Sequence, residues 1–187
     1  MQYRCKRVKR GAYHPEKGIK NGILFQNIRN IGTELTLDSK DRRILSELQL
    51  DSRLTMQELG ERTGMSSSAC WRRVKSLEET GIIDRYAVVV NRSKAGFGFS
   101  SVVHVSLARH ERENVDRFIR EVHRHPEVLE CLATSGEADF HLHVVVQDID
   151  AYNAFLDEFI FRLPGVSQVR SNIVLKEIKA DTALPFK

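Results

Sequence analysis

The chain has 187 residues, with 29 Lys and Arg residues against 25 acidic residues and a net charge of +4 at pH 7. This length holds one large domain or two small ones, and the lack of any apolar run of about 18 residues excludes a membrane-spanning helix, so we expect a cytoplasmic protein. Cys5, Cys70 and Cys131 lie far apart without a C-x-x-C pair, which fits a reducing compartment and excludes a disulfide framework or zinc-finger spacing.

Positive charge is concentrated in the first 35 residues. They hold eight of the 29 Lys and Arg residues but two of the 25 acidic residues, so the remaining chain is slightly acidic. Residues 1–35 show no sustained period of 2 or 3.6, and we expect them to be disordered. They serve either as a basic arm for nucleic-acid phosphates or as a passive tail, including one created by a start codon placed too early. A nucleic-acid surface in the rest of the chain must come from local placement of cations.

Two short helices are predicted after residue 36. The first has one apolar face, an N-cap at Asp38 or Ser39, and an end near Leu50. Its apolar face consists of Ile44, Leu45 and Leu48. The second begins with a capping box, in which the Thr55 hydroxyl and the Glu58 carboxylate satisfy exposed N–H groups, and it ends at residues 63–64.

A third helix is predicted over residues 67–80, capped by Ser66 after a tight turn at residues 64–66 and stopped by Gly81. At about 100° per residue, one stripe of this helix is apolar and the opposite face is polar. The apolar stripe consists of Cys70, Val74 and Leu77. The polar side consists of Ser68, Arg72, Lys75 and Ser76, flanked by Ser67 and Trp71. These two faces fit a recognition helix for the DNA major groove, and the alternative is an ordinary amphipathic helix with solvated cations.

The residue types on this polar side suit DNA. Ser67 and Ser68, helped by the helix dipole, can approach base edges or phosphates. Arg72 can bridge guanine O6 and N7, and Lys75 can reach a phosphate. Arg73 points back toward the other helices, where we expect it to pair with a carboxylate of the first helix such as Glu47, or otherwise to contact a phosphate. The candidate DNA-binding residues are Ser67, Ser68, Trp71, Arg72, Lys75 and Ser76.

Residues 82–90 are rich in β-formers and predict a short ribbon, or wing, so residues 36–90 are assigned to a winged helix-turn-helix domain. Residues 91–98 form a linker. Over residues 99–187 the patterns predict the order βαββαβ, with strands at 99–107, 128–134, 140–146 and 166–178, which is the ferredoxin-like plan. The second helix of this domain is broken at Pro164-Gly165. The fold class is therefore α+β, with an N-terminal winged helix-turn-helix and a C-terminal ferredoxin-like domain.

Four segments resemble the Lrp/AsnC family of feast/famine regulators. They are LDSKDRRILSELQLDSRLTMQELGERTGMSSSACWRRVKSLEETGII, LECLATSGEADFHLHVVVQDIDAY, RLPGVSQVRSNIVLKEIK and the closing TALP. The resemblance covers about residues 36–185. It implies a transcription regulator of double-stranded DNA whose second domain binds an effector amino acid, dimerises through its sheet and assembles further, often into octamers. It places the effector between dimers, near the loop that this chain forms at residues 134–139.

The chemistry of that loop suits an amino acid, which needs an acceptor for its ammonium and N–H donors for its carboxylate. Asp139 or Glu137 serves the first need and the backbone of Gly136 the second. The candidate effector-binding residues are Thr134, Ser135, Gly136, Glu137 and Asp139. The alternative is a hairpin turn that uses Gly and Asp for their turn geometry. Where the family tends to have Gly-Asp-aromatic-Asp, this chain has Gly136-Glu137-Ala138-Asp139, so the pocket has a different shape.

Strand alternation places His104, His141 and His143 on the open face of the sheet, on two strands that the ferredoxin-like order makes neighbours. They are candidates for a Zn²⁺ or Ni²⁺ site or for a pH-sensitive dimer interface, and the alternative is a set of interface histidines that bind no ligand. A metal-responsive winged-helix regulator is therefore the alternative function. We expect no cofactor.

The sequence carries no G-x-S-x-G, Walker loop, H-E-x-x-H or paired carboxylates, so an enzyme is not expected. An RNA-binding role would need the aromatic RNP motif, which the central strands lack. Reading DNA with two recognition helices about 34 Å apart requires a homodimer. The sequence predicts a transcription regulator that binds double-stranded DNA and a small effector, without a membrane partner.

Overall fold

The computed structural model describes residues 37–108, 112–163 and 165–186, and the chain forms two compact units. Of the described residues, one unit contains 37–88 together with 180–186, and the other contains those between 89 and 179. The basic extension at residues 1–35 lies outside the described residues. A search of the described residues finds no helix with the length and apolar character that crossing a membrane requires.

Three helices lie in the described part of the first unit, and the residue before each helix is an N-cap whose side chain accepts a backbone N–H of the first turn. They are α1 (Ser39–Leu50), α2 (Met56–Thr63) and α3 (Ser67–Glu79). The predicted caps of the second and third helices are confirmed, since Thr55 and Glu58 form a reciprocal capping box and the Ser66 hydroxyl accepts the N–H of Ala69. Asp38 is the N-cap of α1. Gly64, with a φ of 70°, ends α2 in the left-handed conformation that glycine adopts easily.

The core of this unit consists of the apolar stripes that the sequence predicts. Its buried side chains are Ile44, Leu45, Leu48, Leu54, Leu59, Cys70, Val74 and Leu77. The helices come close together at Gly60, where a Cβ atom would lie 2.5 Å from the carbonyl oxygen of Met65. Glycine is therefore required at this position by the turn that leads into α3.

The last residues of the chain pack against the same core. The Gln49 side chain donates to the carbonyl of Leu184 at 3.1 Å and accepts its N–H at 2.6 Å, and Phe186 contacts the apolar cluster. Residues 180–186 therefore belong to the same compact unit as the three helices, although they follow the last strand of the sheet along the chain.

The described part of the second unit forms a four-stranded antiparallel sheet in the order β2-β3-β1-β4. Its strands are β1 (Phe99–Leu107), β2 (Val128–Ala133), β3 (Phe140–Val146) and β4 (Val166–Ile173). Helices α4 (Arg112–Val122) and α5 (Ile149–Glu158) pack against one face, followed by a 3₁₀ turn at Ile160–Arg162. The predicted βαββαβ order is confirmed. The break expected at Pro164-Gly165 coincides with a φ of 82° at Gly165, whereas Pro164 lies outside the described residues.

Strand alternation divides the sheet into a core face and an open face. The inward residues of β1 and β3 are buried with the helices, as predicted. They include Val103, Val105, Leu142 and Val144, and their partners include Phe118, Tyr152 and Phe155. His104, His141 and His143 alternate with them and are partly exposed.

Two predicted β-segments differ from the structure, in both cases because the residues have no neighbouring strand among the described residues to pair with. The last strand was expected to reach residue 178 but ends at Ile173, because Ser101 of β1 already pairs with Ile173 and β1 begins at Phe99. Residues 84–90, part of the expected ribbon, belong to no strand of this chain among the described residues. A lone segment rich in β-formers has no ladder of hydrogen bonds to join.

Candidate functional site

The polar side of α3 is exposed along its whole length. Ser67, Ser68, Trp71, Arg72, Lys75 and Ser76 are all exposed, whereas Cys70, Val74 and Leu77 are buried. The predicted division of this helix into a buried face and a free face is therefore confirmed. We call the six exposed residues the α3 surface.

Two cations on the α3 surface have different environments. Lys75 lies over the Trp71 ring, 5.1 Å from its centroid, and its ammonium is 3.6 Å from a carboxylate oxygen of Glu79. Arg72 forms no ion pair within the described part of the chain. Arg72 and Ser76 also line an open cavity of about 690 Å³ together with Lys40 of α1. Sequence reasoning missed Lys40, although its position in the first turn of a helix near the third helix was a usable signal.

Arg73 fixes α3 to the start of α1. Its guanidinium donates to Asp38 at 2.8 Å and to Asp41 at 2.7 Å. Hydrogen bonds to Asp41 and then Asp38 raise the pKa of Arg73, and the backbone N–H of Asp41, followed by Arg73, lowers the pKa of Asp38. The predicted pairing with a carboxylate of the first helix is confirmed.

The suggested partner of Arg73, Glu47, is wrong. The Glu47 carboxylate pairs instead with Arg62 of α2 at 3.2 Å. The two aspartates that bind Arg73 also form the capping box of α1, so they lie at its first turn. The sequence gives the charges of these groups but not the angle at which the helices cross.

The loop at residues 134–139 is held by hydrogen bonds of its own. The Thr134 N–H donates to the Asp139 carbonyl at 3.0 Å, and the Thr134 hydroxyl donates to the Ala138 carbonyl at 2.9 Å. The Asp139 carboxylate accepts the backbone N–H of Leu107 at 2.7 Å. The Asp139 carboxylate thereby joins the loop to β1.

Gly136 in this loop is not required by the backbone. Its φ lies outside the left-handed region, and a Cβ atom there would meet only the Thr134 hydroxyl, at 4.0 Å. Turn geometry alone therefore does not explain the glycine.

The loop borders a cavity of about 500 Å³ on the open face of the sheet. Its lining is formed by loop residues 136–138 and by His104, Ser106, His141, Gln168, Arg170 and Asn172. We call it the open-face cavity. Arg170 donates to the Glu137 carboxylate at 3.0 Å, which joins the loop to β4. Sequence reasoning missed these β4 residues, because strand pairing rather than chain proximity brings them to the loop.

The three histidines do not form a metal site. His104 and His141 are directly opposite in the register, with ring centroids 4.5 Å apart. His143 lies further along β3, where Nε2 is 2.9 Å from the Ser100 hydroxyl and accepts from Arg92 at 3.4 Å. Within residues 37–108, 112–163 and 165–186, no group of three His, Cys, Asp or Glu side chains is arranged to hold a metal ion. Burial, followed by the charge of Arg92, lowers the pKa of His143.

Both units match known protein families. The model of the Lrp/AsnC ligand binding domain matches residues 100–184, and the model of a winged helix-turn-helix DNA-binding domain matches residues 37–84. The DNA-binding transcriptional activator DecR of Escherichia coli is 34% identical over 151 residues, which are 81% of this chain and 99% of that protein. The chain belongs to the Lrp/AsnC family. The leucine-responsive regulatory protein of Escherichia coli is 36% identical over 151 residues, or 81% of this chain and 92% of that protein.

Solved structures give the same assignment of this Lrp/AsnC protein. A transcriptional regulator from Neisseria meningitidis, in complex with L-methionine, has a TM-score of 0.77 and 38% identity over 80% of this chain and 97% of that one. An AsnC family regulator from Agrobacterium tumefaciens has a TM-score of 0.76 and 37% identity, covering 80% of this chain and 97% of that one. This Lrp/AsnC protein is a DNA-binding transcription regulator with a ligand-binding domain, and its relatives are regulators rather than enzymes. Nothing in these relatives supports the metal-responsive alternative.

Proposed function

We propose that this regulator reads its operator through the α3 surface, with Ser67 and Ser68 at base edges or phosphates and Arg72 on guanine. The exposure of all six residues beside a fully buried opposite stripe carries this proposal. Arg72 is free of ion pairs within the described residues, so it can form a bidentate contact without first breaking one. The ring of Trp71 supports the Lys75 side chain, which suits a phosphate contact.

Gel shifts with the upstream region of the regulator's own gene and with random DNA test this proposal. Arg72→Ala should weaken specific binding by about 1–3 kcal/mol and relax the sequence preference, because it removes a contact to a base. Lys75→Ala should weaken binding to both DNAs alike, because a phosphate contact carries no sequence information. Arg124→Ala is the matched control, since this exposed arginine pairs with Glu121 in the other unit.

Equal losses on specific and random DNA for Arg72→Ala would contradict its assignment to a base. A loss for Arg124→Ala as large as that for Arg72→Ala would show that the overall charge, rather than the α3 surface, governs binding.

We also propose that the effector is an amino acid bound at the loop of residues 134–139. The exposed Glu137 carboxylate, which pairs with Arg170, supplies an acceptor for an ammonium group. Thr134, Ser135 and Gly136 belong to the same loop, and Asp139 holds the loop to β1. The related Neisseria meningitidis regulator was solved in complex with L-methionine, which supports an amino acid as the class of ligand. Repeating the gel shifts with each amino acid tests this step, and no response to any of them would contradict it.

The assembly is proposed to be a homodimer that forms a higher oligomer such as an octamer. A dimer supplies the two recognition helices that a site with two half-sites about 34 Å apart requires. Light scattering of the purified protein gives its mass directly, and a monomer at the concentration used for gel shifts would contradict this proposal.

A further inference from the structure

The cavity of about 690 Å³ that Lys40 lines runs along one flank of the α3 surface. We call it the flank cavity. At about 100° per residue, Trp71 and Lys75 lie toward one flank of α3, and Arg72 and Ser76 lie toward the other. The position of the Lys75 ammonium over the Trp71 ring agrees with this division. Arg72 and Ser76 line the flank cavity, whereas Trp71 and Lys75 do not.

Lys40 is an exposed cation that forms no ion pair within the described parts of the chain. Positions 43 and 44, one helical turn further on, hold arginine and isoleucine, so no carboxylate follows at the spacing that pairs side chains along a helix. The carboxylates of Asp38 and Asp41, which are near Lys40 in the chain, are both bound to Arg73, at 2.8 and 2.7 Å. The Lys40 ammonium is therefore available to an anion from outside this unit.

We propose that Lys40 binds a phosphate of the DNA that the α3 surface reads, on the strand opposite the one that Lys75 contacts. This inference rests on the proposed function of the α3 surface and adds to it a second phosphate contact, made from α1. A helix in the major groove, which is about 12 Å wide, lies between two sugar-phosphate backbones. Lys75 faces one backbone and the flank cavity lies toward the other, so Lys40 and Lys75 hold α3 from both sides.

The chemistry of the flank cavity suits a phosphate. The Lys40 ammonium is a compact charge on a flexible side chain, with three donors that can turn toward a phosphate oxygen. The Ser76 hydroxyl lines the same cavity and supplies a further donor. Asp41 is the acidic residue of the lining, and its ion pair with Arg73 keeps it from competing for Lys40. A phosphate held here also sets how far Arg72 extends toward a base edge.

Fluorescence anisotropy of the full-length protein on labelled duplexes tests the proposal, at salt concentrations between about 0.05 and 0.4 M. One duplex carries the upstream region of the regulator's own gene and the other a random sequence. A phosphate contact contributes about 0.9 to the slope of log affinity against log salt, which is about eight-fold at 0.1 M relative to 1 M salt. Lys40→Gln should therefore weaken binding to both duplexes about eight-fold at 0.1 M salt and lower the slope by about one, for each bound protomer.

Arg43→Gln is the matched control, because it removes an exposed cation of the same helix that does not line the flank cavity. It should change either affinity by less than about two-fold. Lys40→Arg keeps the charge and should retain most of the affinity. Circular dichroism checks that each variant is folded.

Phosphate ethylation interference on the upstream region assigns each contact to a strand. Ethylation of the phosphate that Lys40 contacts should reduce binding of the wild type but not of Lys40→Gln. Within one half-site, that phosphate should lie on the strand opposite the phosphate whose interference disappears in Lys75→Ala.

The outcomes separate the two proposals. If Lys40→Gln binds no more weakly than Arg43→Gln, or if the two lysine variants lose interference on the same strand, the contact of Lys40 is wrong, while losses for Arg72→Ala and Lys75→Ala still support the α3 surface. If none of Arg72→Ala, Lys75→Ala and Lys40→Gln weakens binding, the proposed function of the α3 surface and this inference both fail.

Discussion

The pKa of a side chain depends on its surroundings as well as on its residue type, and His143 shows this most clearly. Its Nε2 lies between the Ser100 hydroxyl and the Arg92 guanidinium, Arg92 also pairs with Glu177, and Glu130 of β2 is opposite in the register. Burial and Arg92 together outweigh Glu130, so the pKa of His143 is lowered in the folded state. The folded state therefore favours the neutral imidazole of His143.

The lowered pKa of His143 predicts a loss of stability in acid. In the unfolded chain a histidine takes up a proton below a pH of about 6.5, whereas the folded state resists protonation at this site. The free energy of unfolding should thus be highest above that pH and fall as the pH decreases. Thermal unfolding followed by circular dichroism at pH 7.5 and pH 5.5 should show a smaller difference for His143→Gln than for the wild type. Equal differences would contradict this assignment.

Residue-level prediction from the sequence succeeded where the environment is local. The caps at Thr55 and Ser66 depend on neighbours three residues away, and both were predicted. The partner of Arg73 depends on how α1 and α3 cross, so only the type of partner was predictable. Alternation placed the histidines on the correct face, but it does not give the spacing along two strands that a metal site requires.

Helices, whose backbone hydrogen bonds lie within one segment, were predicted better than strands, whose hydrogen bonds require a second segment. Helices α1, α2 and α3 show their buried faces in their own periodicity and satisfy their ends with their own caps. The end of β4 and the segment at residues 84–90 depend on where another strand begins or whether one is present, which no local pattern shows. The open-face cavity was missed for the same reason, because β4 joins the loop through pairing with β1.

The close contact between α2 and the following turn predicts that even alanine at position 60 destabilises the protein. Alanine favours a helix over glycine by about 1 kcal/mol. Here its Cβ atom would lie 2.5 Å from a backbone oxygen, so Gly60→Ala should instead destabilise the unit by about 1–3 kcal/mol. Urea unfolding measures this through the fluorescence of Trp71, the single tryptophan of the chain.

Glu61→Ala is the matched control for Gly60→Ala, since it places alanine at the adjacent, exposed position of the same helix. Its effect should stay within about 0.5 kcal/mol. A Gly60→Ala variant as stable as this control would show that the turn yields to the methyl group.

On the scale of the whole molecule, the chain leaves the first unit after Val88 and its last residues belong to that unit again. The sequence pattern follows chain order and therefore places these residues in the second domain. Leu184 instead hydrogen-bonds to Gln49, more than a hundred positions earlier, and Phe186 packs against the apolar cluster of the first unit. The DNA-binding unit is thus completed by a segment that the sequence places beyond the regulatory sheet.

This arrangement predicts that the C-terminal segment stabilises the DNA-binding unit. Phe186→Ala removes apolar contact with the core, and Gln49→Ala removes two hydrogen bonds to Leu184, so each should lower the free energy of unfolding by about 1–2 kcal/mol. Because Trp71 lies in the same unit, its fluorescence in urea reports the effect there. Ile178→Ala, at a side chain that is 84% exposed, is the matched control and should leave the midpoint unchanged. If Phe186→Ala unfolds at the same urea concentration as Ile178→Ala, the segment covers the core without stabilising it.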